Sequence, residues 1–486
     1  MEMISGLFLV LSFLVVLSVA VLLVCPESKF KKREEEAAAG LPNGSMGWPF
    51  IGETFSFLKP HKSNSIGTFL QQHCSRYGNV FKSNLFGVPT VVSGDFELNN
   101  FVLQNEDKLF QSYYPKSVKD ILGKYCMMLV PGDLHKKLRT VALTFINSSK
   151  TSPHFLHYLH NLTISFMDSW NKSQHISFAK QAKKFTMHIM LKNMLNIEPG
   201  DPRATQMLED HIAYMKGLVS IPINLPGSPY NKALKARARI QSTIKGIMLE
   251  RREKNEHVLV DDDGDFLDQM LSNEECLLDN EEKVSLVMDL LLAGYETTAG
   301  LLALLVYYLF QSPEVLEQLR EEHLAIRRKK KDGESLTWND IQQMEFNTNV
   351  IYEALRCGNL VKFVHRKALM DVKYKGYYIP AGWQVLPVFT AVHMDPAIHQ
   401  NPSKFDPLRW NDRSMRKIVN PFGGGMRLCP GTDLAKLEAT IFLHHLVLNY
   451  RWKMVEEDYP VSYPYLGFKN GLKLELEPLE NNFLDE

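Results

Sequence analysis

"PFGGGMRLCPG", residues 421–431, sets a single cysteine, Cys429, between three consecutive glycines and a Pro-Gly pair, with Arg427 two residues upstream. The following run, "TDLAKLEATIFLHHLVL", reads as a helix, so Cys429 stands just before a helix N-terminus. There the glycines leave backbone N–H groups open and the helix dipole favours an anion, which together stabilise a thiolate. Four roles suit such a thiol: nucleophile, zinc ligand, axial haem ligand or inert core group. A nucleophile needs a partner base, and no Cys/His arrangement announces itself. Zinc needs three or four ligands, and no Cys/His set clusters nearby. An inert cysteine has no use for three glycines. A single thiolate suffices for haem iron.

The rest of the chain narrows the setting. Of 486 residues, 45% are hydrophobic and 23% charged, which is ordinary for a protein with a large core. Lys+Arg and Asp+Glu both total 55, so bulk charge gives no hold on nucleic acid. The basic run 327–331 follows "SPEVLEQLREEHLAI", where Ser312 can cap, Pro313 suits the first turn, and Glu314 and Glu317 sit early. Basic residues at the far end then complement the helix dipole. The six cysteines, Cys25, Cys74, Cys126, Cys276, Cys357 and Cys429, show neither CxxC pairs nor regular spacing. That excludes a disulfide framework or zinc ribbon and points to a reducing compartment.

Residues 3–25 carry no charge, enough to cross a bilayer of roughly 30 Å as a helix. Only Glu2 precedes them, and Lys29, Lys31, Lys32 and Arg33 follow. This predicts a single-pass anchor with the body in the cytosol rather than a cleaved signal. The expected organisation is a transmembrane anchor at 1–27, a basic, proline-rich linker at 28–50 and a catalytic domain at 51–486. Residues 76–104 read as short strands, and about 130–355 as mostly helical. The helical part is broken at "IPINLPGSPYNKA" (221–233), a lid, a membrane-dipping loop or a simple loop. Residues 360–395 turn strand-like again. One large domain follows, mainly α with a smaller β-rich region.

Two further stretches carry chemistry. "LVMDLLLAGYETTAGLLALLVYYLF" (286–310) is apolar nearly all round and predicts a core helix. In its middle, Gly294 costs about 1 kcal/mol relative to Ala, and burying Glu296 costs more unless it is paired or hydrated. A small residue, an acid and a hydroxyl together predict close approach of a ligand, with a groove and a proton path. "EALR" (353–356) pairs Glu353 with Arg356 at i, i+3, on a helix expected to open at the capping box of Thr337 and Asp340. "FDPLRW" (405–410) adds Arg409, and a buried Glu353–Arg356–Arg409 cluster would hold a long loop in place.

In this order and combination, with the proline-rich "LPNGSMGWPFIG" ahead of them, these motifs make the chain resemble a cytochrome P450 from residue 41 to the C-terminus. The resemblance implies the P450 fold behind one N-terminal transmembrane helix, and haem b with Cys429 as axial ligand of its iron. It implies that Glu296 and Thr297 handle protons and oxygen, and that Glu353, Arg356 and Arg409 shape the cysteine loop. Arg427, Arg366 in "FVHRKA", and Arg139 and His135 in "LHKKLR" would hold the haem propionates, with Phe422 and Gly423 against the haem. Many members carry Trp where this chain has His135.

The activity implied is a monooxygenase of the endoplasmic reticulum membrane that uses O2 and takes NADPH electrons through a P450 reductase. "CGNLVKFVHRKALMDVKYKGYYIPAGWQVLPVFTAVHMDP" and "YYPKSVKDILGKYCMM" are similar to plant P450s of steroid and terpenoid hormone metabolism, above all brassinosteroid side-chain hydroxylases acting at carbon 22. A hydrophobic, sterol-like substrate is therefore expected, with a diterpenoid or triterpenoid as the alternative. An O2-independent isomerase or dehydratase has no need of the Glu296–Thr297 pair, and nothing in the sequence requires a non-catalytic haem sensor. The pocket wall is expected from 114–128, from 360–364 and from the 286–298 face with Met288 and Leu292. Lys362 is expected to point away from it or toward the haem edge.

Overall fold

The computed structural model describes residues 40–49, 51–172, 175–253, 264–273, 276–331, 333–463 and 465–479. The predicted anchor at 1–27 and the basic start of the linker lie outside the described residues. Where the linker is described, it is tied to the body. Gly40 O accepts from Tyr378 N at 2.8 Å and Asn43 O from Lys82 N at 3.0 Å.

The long helices are α1 (Gly132–Ser149), α2 (Pro153–Asp168), α3 (Phe178–Leu195), α4 (Pro202–Leu218), α5 (Pro229–Glu253), α6 (Asn280–Gln311), α7 (Pro313–Arg327), α8 (Glu345–Gly358) and α9 (Thr432–Asn449). The 32-residue α6 is the axis of the fold. Asp279 and Glu282 close a reciprocal capping box at its start, and α3, α5, α8 and α9 pack along it. Burial nearly all round explains its apolar composition: it is a core helix, not a second membrane span. Gly294 is there for helix packing. A Cβ on it would lie 2.4 Å from the Met190 Sδ of α3, so the expected ligand approach at this glycine is replaced by a neighbouring helix.

A five-stranded sheet lies beside the helices: β1 (Val80–Leu85), β2 (Val88–Ser93), β3 (Phe110–Ser112), β4 (Arg366–Ala368) and β5 (Gln384–Pro387), in the order β1-β2-β5-β4-β3. Only the β2–β5 pair is parallel. The strand-like reading of 76–104 holds for β1 and β2 but fails at Phe96–Gln104, which is helical. Asp95 caps it by accepting Leu98 N–H at 2.7 Å, and Leu98, Val102 and Leu103 share its buried side.

Two helix starts also differ from expectation. The Thr337–Asp340 capping box opens a separate short helix, Trp338–Gln343, and the chain breaks at Met344. The helix carrying "EALR" begins afresh at Glu345, where Glu322 takes the N–H groups of Phe346 and Asn347 at 2.8 and 2.7 Å. Ser312 precedes α7, but its side chain makes no capping bond.

Candidate active site

Glu353 and Arg356, one turn apart on α8, are both fully buried. The guanidinium makes a two-pronged contact, Nε to Oε2 at 2.9 Å and Nη2 to Oε1 at 2.7 Å. Glu353 also accepts from Arg409 Nε, Asp406 N and Trp410 Nε1, each at 2.9 Å. Burial by itself would raise this carboxyl. The hydrogen bond and charge of Arg356, with the charge of Arg409, outweigh it and hold the group below its ordinary value. Arg356 reaches on to the carbonyls of His393 and Pro402 at 2.8 Å, so the cluster pins the irregular 393–410 segment to α8.

From there a row of rings leads to the cysteine. Trp410 packs on Tyr352 at 5.2 Å between centroids, and Tyr352 meets Phe422 edge-on at 6.4 Å. Phe422 O then accepts the N–H of Cys429 at 3.0 Å. The loop between them turns at Gly423 and Gly425, with φ of 75° and 64°. Gly425 is also a close approach: a Cβ there would lie 2.0 Å from Leu103 O. Gly423 instead faces open space. Burial pushes the Cys429 thiol up, while the Gly431 N–H, the Thr432 hydroxyl and the charge of Arg139 oppose it.

Apart from Gly294, the accessible residues of α6 between Lys283 and Val306 are Asp289, Leu292, Ala293, Glu296, Thr297 and Gly300. Their spacing of i, i+3, i+4, i+7, i+8, i+11 puts them on one face, which borders interior space. Ala293 and Thr297 are exposed in the middle of a core helix, and the Thr297 hydroxyl donates to Ala293 O at 2.5 Å. Met288, expected on this face, is buried instead. Glu296 Oε1 pairs with Lys183 Nζ of α3 at 2.5 Å. Lys362 points away from the face and reaches His61 Nε2 at 2.7 Å.

Positive charge gathers at the same place. Arg427 and Arg366 share the buried Glu106 carboxylate, at 2.6 and 2.5 Å, and Arg427 also donates to the carbonyls of Met127, Met128 and Val130. Arg139 has no acidic partner among the described residues. His135 is buried with Nδ1 unpartnered, its pKa pushed down to about 4 by burial and by Arg427 and Arg139. Three arginines against one carboxylate leave an excess of positive charge for an anion to fill.

The cytochrome P450 family profile matches residues 42–470. The chain belongs to the cytochrome P450 family. It is 52% identical to cytochrome P450 724B1 of Oryza sativa subsp. japonica, over 90% of this chain and 92% of that one. A cholesterol 22-monohydroxylase of Paris polyphylla is 46% identical (92% and 95% covered), and a steroid (22S)-hydroxylase of Oryza sativa subsp. japonica 44% (89% and 87%). The retinoic acid-bound cyanobacterial CYP120A1 has the same fold, with a TM-score of 0.79 at 24% identity over 90% of this chain and 99% of that one.

As a P450 the protein is a haem-thiolate monooxygenase that draws on O2 and reductase-supplied electrons. Its residues fit the group. The orphaned His135 Nδ1 and the surplus of arginine suit an anionic group, the charge of Arg139 acts on the Cys429 thiol, and open space lies over Gly423. Glu106 and Lys183 escaped the sequence reading, because a lone acid in "QNEDKLF" and a lone lysine on α3 carry no motif. A separate groove of about 500 Å³, lined by His160, Arg327, His444 and His445 among others, contains none of the motif residues.

Proposed function

We propose that this P450 is a membrane-anchored monooxygenase that hydroxylates the side chain of a sterol at carbon 22. The observation that carries the reading is the set of relatives whose stated activities are cholesterol or steroid 22-hydroxylation, at 44–46% identity over about nine-tenths of the chain. The α6 face combines apolar Leu292, Ala293 and Gly300 with a few polar groups, a surface that suits a largely hydrophobic substrate.

In this reading the Cys429 thiolate would ligate the haem iron, on a loop held by the Cys429 N–H to Phe422 carbonyl bond and the glycine turns. Arg427, Arg366, Arg139 and His135 would hold the propionates, and Phe422 and Gly423 would pack against the group. Haem bound there supplies activation of O2 and removal of hydrogen from an unactivated C–H bond, with electrons from NADPH through a P450 reductase. The protein's own residues orient the substrate, exclude water and move protons. Glu296, on the partly accessible side of α6, carries the proton inward, and the Thr297 hydroxyl holds it on the cavity face. Glu353, Arg356 and Arg409 keep the cysteine loop in register.

Residues 1–27 anchor the chain in the endoplasmic reticulum membrane, 28–50 link, and 51–486 form the cytosolic catalytic domain. Exposed Trp48, Ile51 and Phe55 just after the linker, and exposed Ile221, Ile223 and Leu225 between α4 and α5, suit contact with lipid.

The test is a product assay. Membranes carrying the protein and a P450 reductase are incubated with NADPH and a panel of phytosterols, cholesterol, diterpenes and triterpenes, then read by mass spectrometry. A sterol hydroxylated at carbon 22 is the expected product. Oxidation of a diterpene or triterpene alone would overturn the sterol reading and leave the monooxygenase standing.

A further inference from the structure

One acid on the α6 face has no part in oxygen chemistry. Asp289 lies eight residues before Thr297 on the same stripe, about 12 Å along the axis at the usual helical rise. It is enclosed by α4, α5 and the 123–128 segment, yet keeps accessible surface on the cavity side. Its Oδ2 accepts Met127 N–H at 2.7 Å, and the buried Cys126 thiol bonds to the same carboxyl. Burial pushes its pKa up to about 7, so near neutrality the group can donate as well as accept.

Two other polar groups stand with it. Tyr214 of α4 is 3% exposed, and Arg237 of α5 presses its guanidinium on Gly123, where a Cβ would lie 2.0 Å from Nη2. Arg237 Nε has no hydrogen-bond partner. Both are close enough to act on each other and on Asp289 electrostatically. Holding the Met127 N–H needs only one acceptor oxygen, which Asn or Ser would provide without burying a carboxyl. A half-buried carboxyl and guanidinium beside a buried phenol, at the end of the face remote from Thr297, are the equipment for a polar group on the ligand.

We propose that Asp289, with Tyr214 and Arg237 beside it, is the specificity-determining anchor for a hydroxyl at the end of the substrate remote from the oxidised carbon. The inference rests on the sterol reading above, in which that group is the ring hydroxyl. The stretch from Asp289 to Thr297 matches the span from the hydroxyl end of a fused tetracyclic nucleus to its side chain.

The test titrates the haem-loaded protein with cholesterol and with cholest-5-ene, which lacks the hydroxyl, and reads binding by the substrate-induced spectral shift. The wild type is expected to bind cholesterol about tenfold more tightly than cholest-5-ene. Asp289→Leu is expected to erase that ratio by weakening cholesterol alone. Asp289→Asn, which keeps an acceptor for Met127 N–H, should lose part of it. If Asp289→Leu does not fold, Tyr214→Phe, which removes only a hydroxyl, carries the same comparison. Equal weakening of both sterols, or an unchanged ratio, would overturn the anchor and make Asp289 a support for the 126–128 segment. A wild type that shifts with neither sterol would instead overturn the sterol reading itself, and the anchor with it.

Discussion

Lys183 holds Glu296 from a different helix: its Nζ lies 2.5 Å from Oε1, while Glu296 Oε2 has no hydrogen-bond partner. The acid of the central motif is thus tethered through one oxygen, while the other is buried and left unpaired. If it carries protons, Glu296→Gln lowers turnover on the order of 10²-fold. Lys183→Met removes only the tether, a partly exposed pair worth up to about 1 kcal/mol. It should lower the yield of product per NADPH several-fold and leave the reduced CO spectrum intact. Unchanged coupling in Lys183→Met would reduce the pair to a structural contact.

Cys429→Ala removes the only thiol of the glycine loop. The expected outcome is loss of the thiolate-type spectrum of the reduced CO complex, with far-UV circular dichroism unchanged. Retention of that spectrum would move the iron ligand elsewhere.

Glu353 is the hub of five N–H donors and the Cys357 thiol in a dry setting, so removing it leaves Arg356 buried and unpaired. Glu353→Ala is expected to cost about 3–5 kcal/mol. Trp410→Phe, which deletes one hydrogen bond to a charged acceptor, should cost about 1.5–3 kcal/mol. Urea unfolding of both variants checks the ranking, and a smaller loss for Glu353→Ala would contradict the cluster's role in pinning 393–410.

Gly425→Ala meets two obstacles at once, a φ of 64° and the Leu103 carbonyl 2.0 Å from the new Cβ. The backbone of Phe96–Gln104 or of the cysteine loop must move. We expect haem incorporation to fall to background when the variant is expressed beside the wild type. Normal incorporation would mean the loop is less tightly seated than these distances require.

Four histidines link α2, α7 and α9. His160 Nδ1 and His445 Nε2 are 3.0 Å apart, His323 Nδ1 and His444 Nδ1 3.1 Å, and His323 Nε2 lies 3.3 Å from Asn347 Oδ1 of α8. Each N···N contact needs one donor and one acceptor, so a fully protonated pair cannot form it. Burial lowers all four, His323 to about 4 and His445 to about 3, with Arg327 opposing a further charge at His160, His444 and His445. A base depressed on folding binds its proton in the unfolded chain first. The stabilisation is therefore full above about pH 6.5 and lost as pH falls toward 4, at about 1.4 kcal/mol per pH unit for each such histidine. Urea unfolding at pH 7.5 and 5.5 should show the loss, and His445→Gln should flatten it. An equal slope in that variant would place the acid sensitivity elsewhere.

The cysteine loop, the central apolar helix and the "EALR" and "FDPLRW" segments were readable because each carries its meaning in one contiguous stretch. Their glycines, charges and apolar runs respond to local backbone needs. Misreadings arose where a neighbour decided: Gly294 answers to Met190 of α3, and the "EALR" helix starts where Glu322 of α7 supplies a cap.

By itself the sequence determined, through the order and combination of its motifs, a resemblance to the P450s, and its periodicity and turn chemistry, being local, put the cysteine ahead of a helix and an apolar core helix through the middle. Only tertiary structure decided that Glu106 is shared by Arg366 and Arg427, that Lys183 tethers Glu296, and that Asp289 faces the cavity while Met288 is buried. Those contacts join residues about 110 to 320 positions apart. Such pairings are selected by the packing of whole helices, and a lone Lys or Glu carries no trace of them in its own neighbourhood.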